Sequence, residues 1–361
     1  MNDFQALVSL NLIPQVGSVR LEALLNNFQL PQNIFKANLN DLIAVVGEKI
    51  GKSIFSFNTK LLEKDLALAK KANVKIVTLF DANYPQALKE IPGAPIVLYI
   101  LGNITAQDNL AIGIVGSRRA SLYGLNHAEK FAAQLSAQGV TIVSGMARGV
   151  DTYAHRGALK VKGRTIAVMG SGFNHIYPEE NTDLAQEIAK SGAVVCEFPM
   201  DTEPLPYNFP RRNRLISGLS LGVLVTEAAR NSGALITCDF ALEQGREVFA
   251  LPGRVDSNAS TGTNHLIKQG AKLVTCCEDI LEELNLITVD KKAKNPLIIK
   301  QENAMGKDEG MLYDYITQQP VAIDDLVEKT SLPSHELLGL ILKLQFKKLI
   351  KELPGKQFMR N

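Results

Sequence analysis

The rhythm of apolar positions changes twice along this chain. In residues 1–72 the apolar side chains Leu7, Leu10, Leu21, Leu24, Leu25 and Phe28 recur at helical spacing, and few runs favour strands. That pattern predicts a small helical domain. Its segment LNLIPQVGSVRLEALLNNF has the order helix, glycine turn, helix. It reads either as a helix-hairpin-helix element whose turn amides approach a DNA phosphate, or as a plain helical hairpin capping its neighbour. Residues 73–288 instead carry the short runs KIVTLF, AIGIVG, TIVSG, TIAVMG, AVVCEF, GVLVTEA, EVFAL and KLV, most of them separated by amphipathic helical stretches such as LNHAEKFAAQLSAQG. Strands that alternate with helices predict an α/β domain with a doubly wound, mostly parallel sheet, whose ligands sit outside the carboxyl ends of the strands. Residues 289–308 are polar, Lys-rich and aperiodic, as in a linker. The tail, 309–361, reads as helices over 309–318, 323–330 and 334–348, then short strands around Ile350 and Phe358. This is winged-helix order. The third helix is mostly apolar, with Lys343, Lys347 and Lys348 near its end. A groove-reading helix needs polar side chains near its start, so a protein contact suits it better.

Composition narrows the picture only at its edges. A content of 46% hydrophobic and 21% charged residues is that of a folded globular protein, and 361 residues suffice for two or three domains. With a net charge of +2, a polyanion site has to come from local clustering of Arg and Lys. The N-terminus has no basic flank followed by a long apolar run, and no stretch reaches the roughly 18 apolar residues of a membrane helix. A cytoplasmic protein without a membrane partner is expected. Cys196, Cys238, Cys276 and Cys277 lack CxxC spacing and suitably placed His partners, which argues for reduced thiols and against a metal site. No cofactor is expected.

Clustering of that kind occurs at the ends of the strands. GIVGSRRAS places Gly116 at a tight turn, with Ser117, Arg118 and Arg119 above the sheet edge. A glycine turn leading into a helix attracts anions through its amides, and Arg adds a bidentate fork for phosphate. TIVSGMARGVDTYAHRGAL repeats the layout with Ser144, Gly145, Arg148 and Gly149. TIAVMGSGFNHIYPEEN supplies Gly170 and Gly172 for close backbone approach, and Phe173 and Tyr177 either stack on bases or pack under the loop. In FPRRNRLISGLS, Arg211, Arg212, Asn213 and Arg214 follow a proline-rich loop and are flanked by apolar Phe209, Leu215 and Ile216. A solvated charged face would not carry those flanks, so a phosphate site is favoured.

Enzymatic readings find less support. Asp151 and His155, four apart, suit a capping acid and a helix-surface imidazole better than an acid-base pair. Glu227, near Arg230 in TEAARNSGALIT, is the one acid placed for N-glycosidic or phosphoryl hydrolysis, and no second carboxylate accompanies it locally. GEKIGKS at 47–53 mimics a P-loop, but Gly47 and Gly51 enclose one residue too few, within a helical segment. No strand turn carries the full GxGxxG of a dinucleotide site.

Taken in order, VGSRRAS, SGMARGVDTYAHRGAL, GSGFNHIYPEEN, EFP, FPRRNRLISGLS, TEAARNSGALIT, LPG and GTNHLIKQGAKLV strongly resemble the DNA-processing protein A family (DprA, also called Smf), almost continuously from about residue 80 to 275. The two terminal domains match that family in kind only. The resemblance implies a Rossmann-like fold and a protein that coats incoming single-stranded DNA during natural transformation. It also implies dimerisation through the Rossmann-like domain and loading of the RecA recombinase, without catalysis. It places Ser117, Arg118, Ser144, Gly145, Arg148, Arg211 and Arg214 on phosphates, with Phe173 or Tyr177 as stacking positions. The alternatives are a nucleotide or nucleoside-phosphate hydrolase built on Glu227 and an adaptor whose winged helix docks proteins.

Overall fold

The computed structural model describes residues 1–284, 307–317, 320–330, 332–346, 349–353 and 357–360. Two separately compact units divide the chain, residues 1–287 and 288–361. Most of the expected linker lies outside the described residues.

The first unit opens with six helices, α1 (Asp3–Leu12), α2 (Ser18–Phe28), α3 (Pro31–Ile34), α4 (Leu39–Val46), α5 (Glu48–Phe55) and α6 (Thr59–Lys71). Side-chain oxygens of Asn2, Asn38 and Asn58 accept the first free amides of α1, α4 and α6, which sets where these helices begin. The segment that mimics a P-loop is α5, entered through Gly47 at a φ of 84°. These helices share a core with the sheet: Leu7, Leu10, Leu21 and Leu24 pack in one cluster with Val97, Tyr99, Val194 and Cys196. Polar ties reinforce that seam. Asp65 on α6 accepts the Tyr99 hydroxyl (2.6 Å) and the Met200 amide (2.9 Å), while Asn11 donates to the Glu197 carbonyl (3.1 Å).

Nine strands follow in chain order: β1 (Lys75–Thr78), β2 (Val97–Gly102), β3 (Ala111–Val115), β4 (Thr141–Ser144), β5 (Thr165–Val168), β6 (Ala193–Cys196), β7 (Gly222–Val225), β8 (Glu247–Ala250) and β9 (Lys272–Leu273). They form one sheet in the order β1-β2-β6-β5-β4-β3-β7-β8-β9. All neighbours from β6 to β9 are parallel, and β2 runs antiparallel to both β1 and β6. The helices between strands are α7 (Gln86–Lys89), α8 (Leu122–Ala137), α9 (Val150–Lys160), α10 (Thr182–Ser191), α11 (Asn208–Gly218), α12 (Ala234–Glu243) and α13 (Thr261–Lys268), and α14 (Cys277–Glu283) follows β9. Successive strand residues serve opposite faces. Ile112, Ile114 and Leu224 pack with Phe131 and Leu135 of α8, whereas Val115, Val223 and Val225 pack with Leu215 and Ile216 of α11. Burial on both faces is why these strands read as unbroken apolar runs. The chain winds from β3 out to β6, then returns to the other side of β3 with β7. The crevice where the winding reverses therefore opens at the carboxyl ends of β3 and β7.

The second unit contains α15 (Lys307–Tyr315), β10 (Val321–Ala322), α16 (Ile323–Thr330), α17 (Ser334–Phe346), β11 (Ile350–Leu353) and β12 (Gln357–Arg360), with an antiparallel sheet in the order β10-β12-β11. Leu312, Leu326, Leu337, Ile341, Leu344 and Phe358 form its core. The apolar face of α17 is thus largely spent on that core, although Leu338 is exposed. Lys343 is exposed as well, and Lys347 and Lys348 lie outside the described residues.

Candidate nucleic-acid interface

The loop after β3 is held from two sides. The Ser117 amide donates to the Glu227 carbonyl (2.8 Å) and the Val150 amide to the Ser117 carbonyl (3.3 Å). Gly149 has a φ of 77°, and a Cβ there would stand 2.3 Å from the Ser117 carbonyl oxygen, so only glycine lets the second turn nest under the first. A Cβ on Gly116 would meet Val150 at 2.6 Å. The Ser117 hydroxyl accepts the Arg119 amide (3.1 Å), a local turn that leaves Arg118 and Arg119 exposed on the rim. The Arg118 guanidinium stands over the Phe209 ring, 5.3 Å from its centroid.

At the end of β4 the side chains divide between scaffold and rim. Ser144 is fully buried, and its hydroxyl donates to the Ile114 carbonyl (2.6 Å), which turns it away from any ligand. Gly145 is buried too: a Cβ would collide with Arg212 and Asp151. Arg212 lies beneath the edge, with Nη1 donating to the Gly145 carbonyl (2.5 Å) and the Val168 carbonyl, and Nε to Oδ1 of Asn213 (3.1 Å). It thereby joins the ends of β4 and β5. Burial lowers its pKa to about 10, opposed by the nearby carboxylate of Asp151. Asp151 accepts the Ala147 amide (3.3 Å), and burial raises its pKa to about 6 despite Arg212. Asn213 donates to the Gly233 carbonyl (3.3 Å), linking α11 to the loop after β7.

Arg148 is exposed, and its planar fork is bidentate to Glu180, Nε to Oε1 at 2.5 Å and Nη2 to Oε2 at 2.7 Å. Each partner shifts the other toward its charged form, raising the guanidinium pKa and lowering that of the carboxyl. Arg148 also stands 6.0 Å from the ring centroid of Tyr177, which is 39% exposed and precedes a cis peptide bond to Pro178. The Tyr177 ring in turn lies 5.7 Å from that of Phe209. Gly170 makes room for this arrangement, because a Cβ there would meet the Phe209 ring at 2.7 Å. Gly172 plays a similar part against the Pro199 and Met200 carbonyls. Phe173, by contrast, is only 8% exposed and packs in the core.

On α11 the arginines face different ways. Arg211 is exposed, over the Phe198 ring at 5.3 Å and 3.9 Å from Glu197. Arg214 is largely buried and donates through Nη2 to Glu197 Oε2, a carboxylate whose pKa burial raises. It braces the element and does not stand on the rim.

The assembled site is a row along the sheet edge: Arg118, Phe209, Tyr177 and Arg148. It borders a cleft of about 470 Å³ at the reversal of the winding, lined by Ser117, Arg118, Phe209, Arg212, Asn213 and Gly233 among others. Cations with aromatic faces between them suit a charged backbone with bases attached, and that pairing is sequence-tolerant. Phe209 sits at the centre of the row and was legible in the sequence only as an apolar flank of the arginines. Its proximity to Gly170 and Arg118 arises from strands far apart in the chain.

The candidate catalytic groups are placed otherwise. His155 is buried, not on the helix surface, and hydrogen-bonds through Nδ1 to Thr165 Oγ1 (2.7 Å). The Thr165 hydroxyl donates to the Ile142 carbonyl (2.8 Å), so Nδ1 carries the proton. Burial lowers the His155 pKa to about 3. Glu227 is buried as well, its Oε1 accepting the Ser121 amide (2.8 Å) and its Oε2 the Ser121 hydroxyl, which ties β7 to the start of α8. Arg230 is exposed.

A family model for DNA recombination-mediator protein A matches residues 75–285, and one for the DprA winged helix domain matches residues 301–356. The Protein Smf of Escherichia coli is 39% identical to this chain over 328 residues, covering 88% of each. Among solved structures, DNA processing protein A (DprA) of Streptococcus pneumoniae aligns with a TM-score of 0.69 at 34% identity, over 78% of this chain and 99% of that one. The Helicobacter pylori DNA processing protein A, reported for its single-stranded DNA binding mode, aligns with a TM-score of 0.53 at 32% identity, over 59% of this chain and 96% of that one.

Proposed function

This chain belongs to the DNA recombination-mediator protein A family, and from that membership we propose that it binds and protects single-stranded DNA without reading sequence. On this reading it acts in the cytoplasm during natural transformation, hands the strand to RecA, works as a homodimer joined through the α/β unit and catalyses no reaction.

One observation carries the DNA reading: Arg118, Phe209, Tyr177 and Arg148 form a continuous row of alternating charge and ring beside the cleft. The arginines take phosphates, the rings take bases, and neither contact depends on base identity. The non-catalytic reading is supported by the engagement of both Glu227 carboxylate oxygens with Ser121. For the dimer we propose the sheet end at β9, whose exposed Leu273 lines one cleft with Val255, itself 94% exposed. Large apolar side chains exposed together are the kind of patch a second copy of the chain would cover. Among the described residues no helix is long and apolar enough to cross a membrane.

The test is oligothymidylate binding across a salt series for the wild type and for Arg118→Ala, Arg211→Ala and Phe209→Ala. Each Arg variant is expected to shrink the log-log salt slope by about 0.7. Phe209→Ala should lose about 1–3 kcal/mol of affinity at an unchanged slope. Negligible binding by the wild type, or unchanged slopes in both Arg variants, would overturn the reading.

A further inference from the structure

We propose that Glu180 is a built-in stand-in for phosphate, which occupies the fork of Arg148 in the free protein and is displaced when DNA binds. This rests on the single-stranded DNA reading above and adds to it a residue that sets affinity and salt response.

The argument begins with geometry. Arg148 offers Nε and Nη2 side by side, and the Glu180 carboxylate takes both, the same planar two-point match that a phosphate would make. Arg148 closes one end of the aromatic row. At the other end stands Arg118, for which no ion-pair partner occurs among the described residues. The two cations are alike in exposure and in the ring beneath them, yet one is already neutralised.

Glu180 is also held in place. It lies in the short turn Glu179–Asn181, and the buried Asn181 donates through Nδ2 to the Met146 carbonyl and to Thr152 Oγ1, both at 2.8 Å. Those anchors flank Arg148 in the β4–α9 connection, so the carboxylate is presented to the fork by the fold. The pair itself is accessible, with side-chain exposures of 54% and 53%. An exposed ion pair is weak in water and open to exchange.

Ion accounting gives the exchange a signature. When a DNA phosphate takes the fork, the DNA sheds a counterion while the released carboxylate gathers one. Arg148 therefore adds much less than the usual increment of about 0.7 to the salt slope of the wild type. Glu180→Gln keeps the shape and removes the competing charge.

The experiment is a double-mutant cycle of Glu180→Gln and Arg148→Ala, read by oligothymidylate affinity and salt slope, with thermal unfolding confirming that each variant is folded. The expected result is that Glu180→Gln tightens binding about two- to fivefold at low salt, the worth of an exposed ion pair. It should also steepen the slope by about 0.7. Both effects should vanish when Arg148 is Ala. The same tightening in the Arg148→Ala background would overturn the proposal, because Glu180 would then act as a diffuse negative charge. Unchanged or weaker binding by Glu180→Gln, in a protein whose Arg118→Ala variant still loses slope, would also overturn it while leaving the DNA reading intact. Absence of oligothymidylate binding by the wild type would remove the DNA reading and this proposal together.

Discussion

His155 and Asp151 sit one turn apart on α9, both buried beside Arg212, and burial moves their pKa values in opposite senses. The unfolded chain binds a proton at His155 below about pH 6.5, whereas the folded imidazole refuses it until about pH 3. Its contribution to stability is therefore full above pH 6.5 and lost as pH falls through that window. Asp151 does the reverse. The folded state keeps its proton up to about pH 6, so its contribution is full below the unfolded carboxyl range and lost as pH rises through 6. In urea titrations at several pH values, His155→Asn should gain on the wild type by about 1.4 kcal/mol for each pH unit below 6.5, and Asp151→Asn should gain as pH rises from 4 to 6. Stability curves parallel to that of the wild type would refute these assignments. None of this chemistry is visible in a D-x-x-x-H spacing, which fits a surface pair equally well. The same limit explains Ser144, Phe173 and Arg212. Their positions beside strand ends mark them as site residues, and only the direction of each side chain reveals that it faces the interior.

Among the elements, the connection between β3 and α8 depends most on a distant partner. Glu227 accepts both the amide and the hydroxyl of Ser121, and its own carbonyl accepts the Ser117 amide. Glu227→Ala removes the acceptor of the Ser121 amide and hydroxyl; Ser121 is itself exposed, so water replaces part of the loss, and the change should cost about 1–2 kcal/mol and loosen the Ser117–Arg118 turn, lowering DNA affinity. Glu227→Gln keeps an acceptor and should retain most of both. A Glu227→Gln protein that folds and binds DNA normally but has lost a nucleotide-hydrolysing turnover present in the wild type would contradict this scaffold role. Elements buried on both faces, such as β3 and β7, were legible as apolar runs set between helices. Strand β2 was not, because it enters β3 without an intervening α-helix and runs antiparallel, outside the alternation that marks its neighbours. The two-residue β10 is too short to carry any period.

For the molecule as a whole, the division into two compact units predicts that the first contains both the DNA row and the proposed dimer edge. A chain truncated after Ile287 should unfold cooperatively, sediment as a dimer and bind oligothymidylate with the salt slope of the full protein. A truncated chain that stays folded but is monomeric, or has lost a large part of that slope, would assign dimerisation or phosphate contacts to the second unit.

The fold class, the winged-helix tail and the concentration of glycine and arginine at strand ends were determined by the sequence alone. Those features follow from periods and turn chemistry that act over a few residues. Which arginines stand free was decided by the tertiary structure. Arg118 reaches solvent unpaired among the described residues, Arg211 reaches solvent with Glu197 3.9 Å away, Arg148 meets Glu180, and Arg212 and Arg214 are consumed by carbonyls and by Glu197. Phe209 became the centre of the row in the same way, because side-chain direction and long-range partners depend on how β3, β4, β5 and α11 converge.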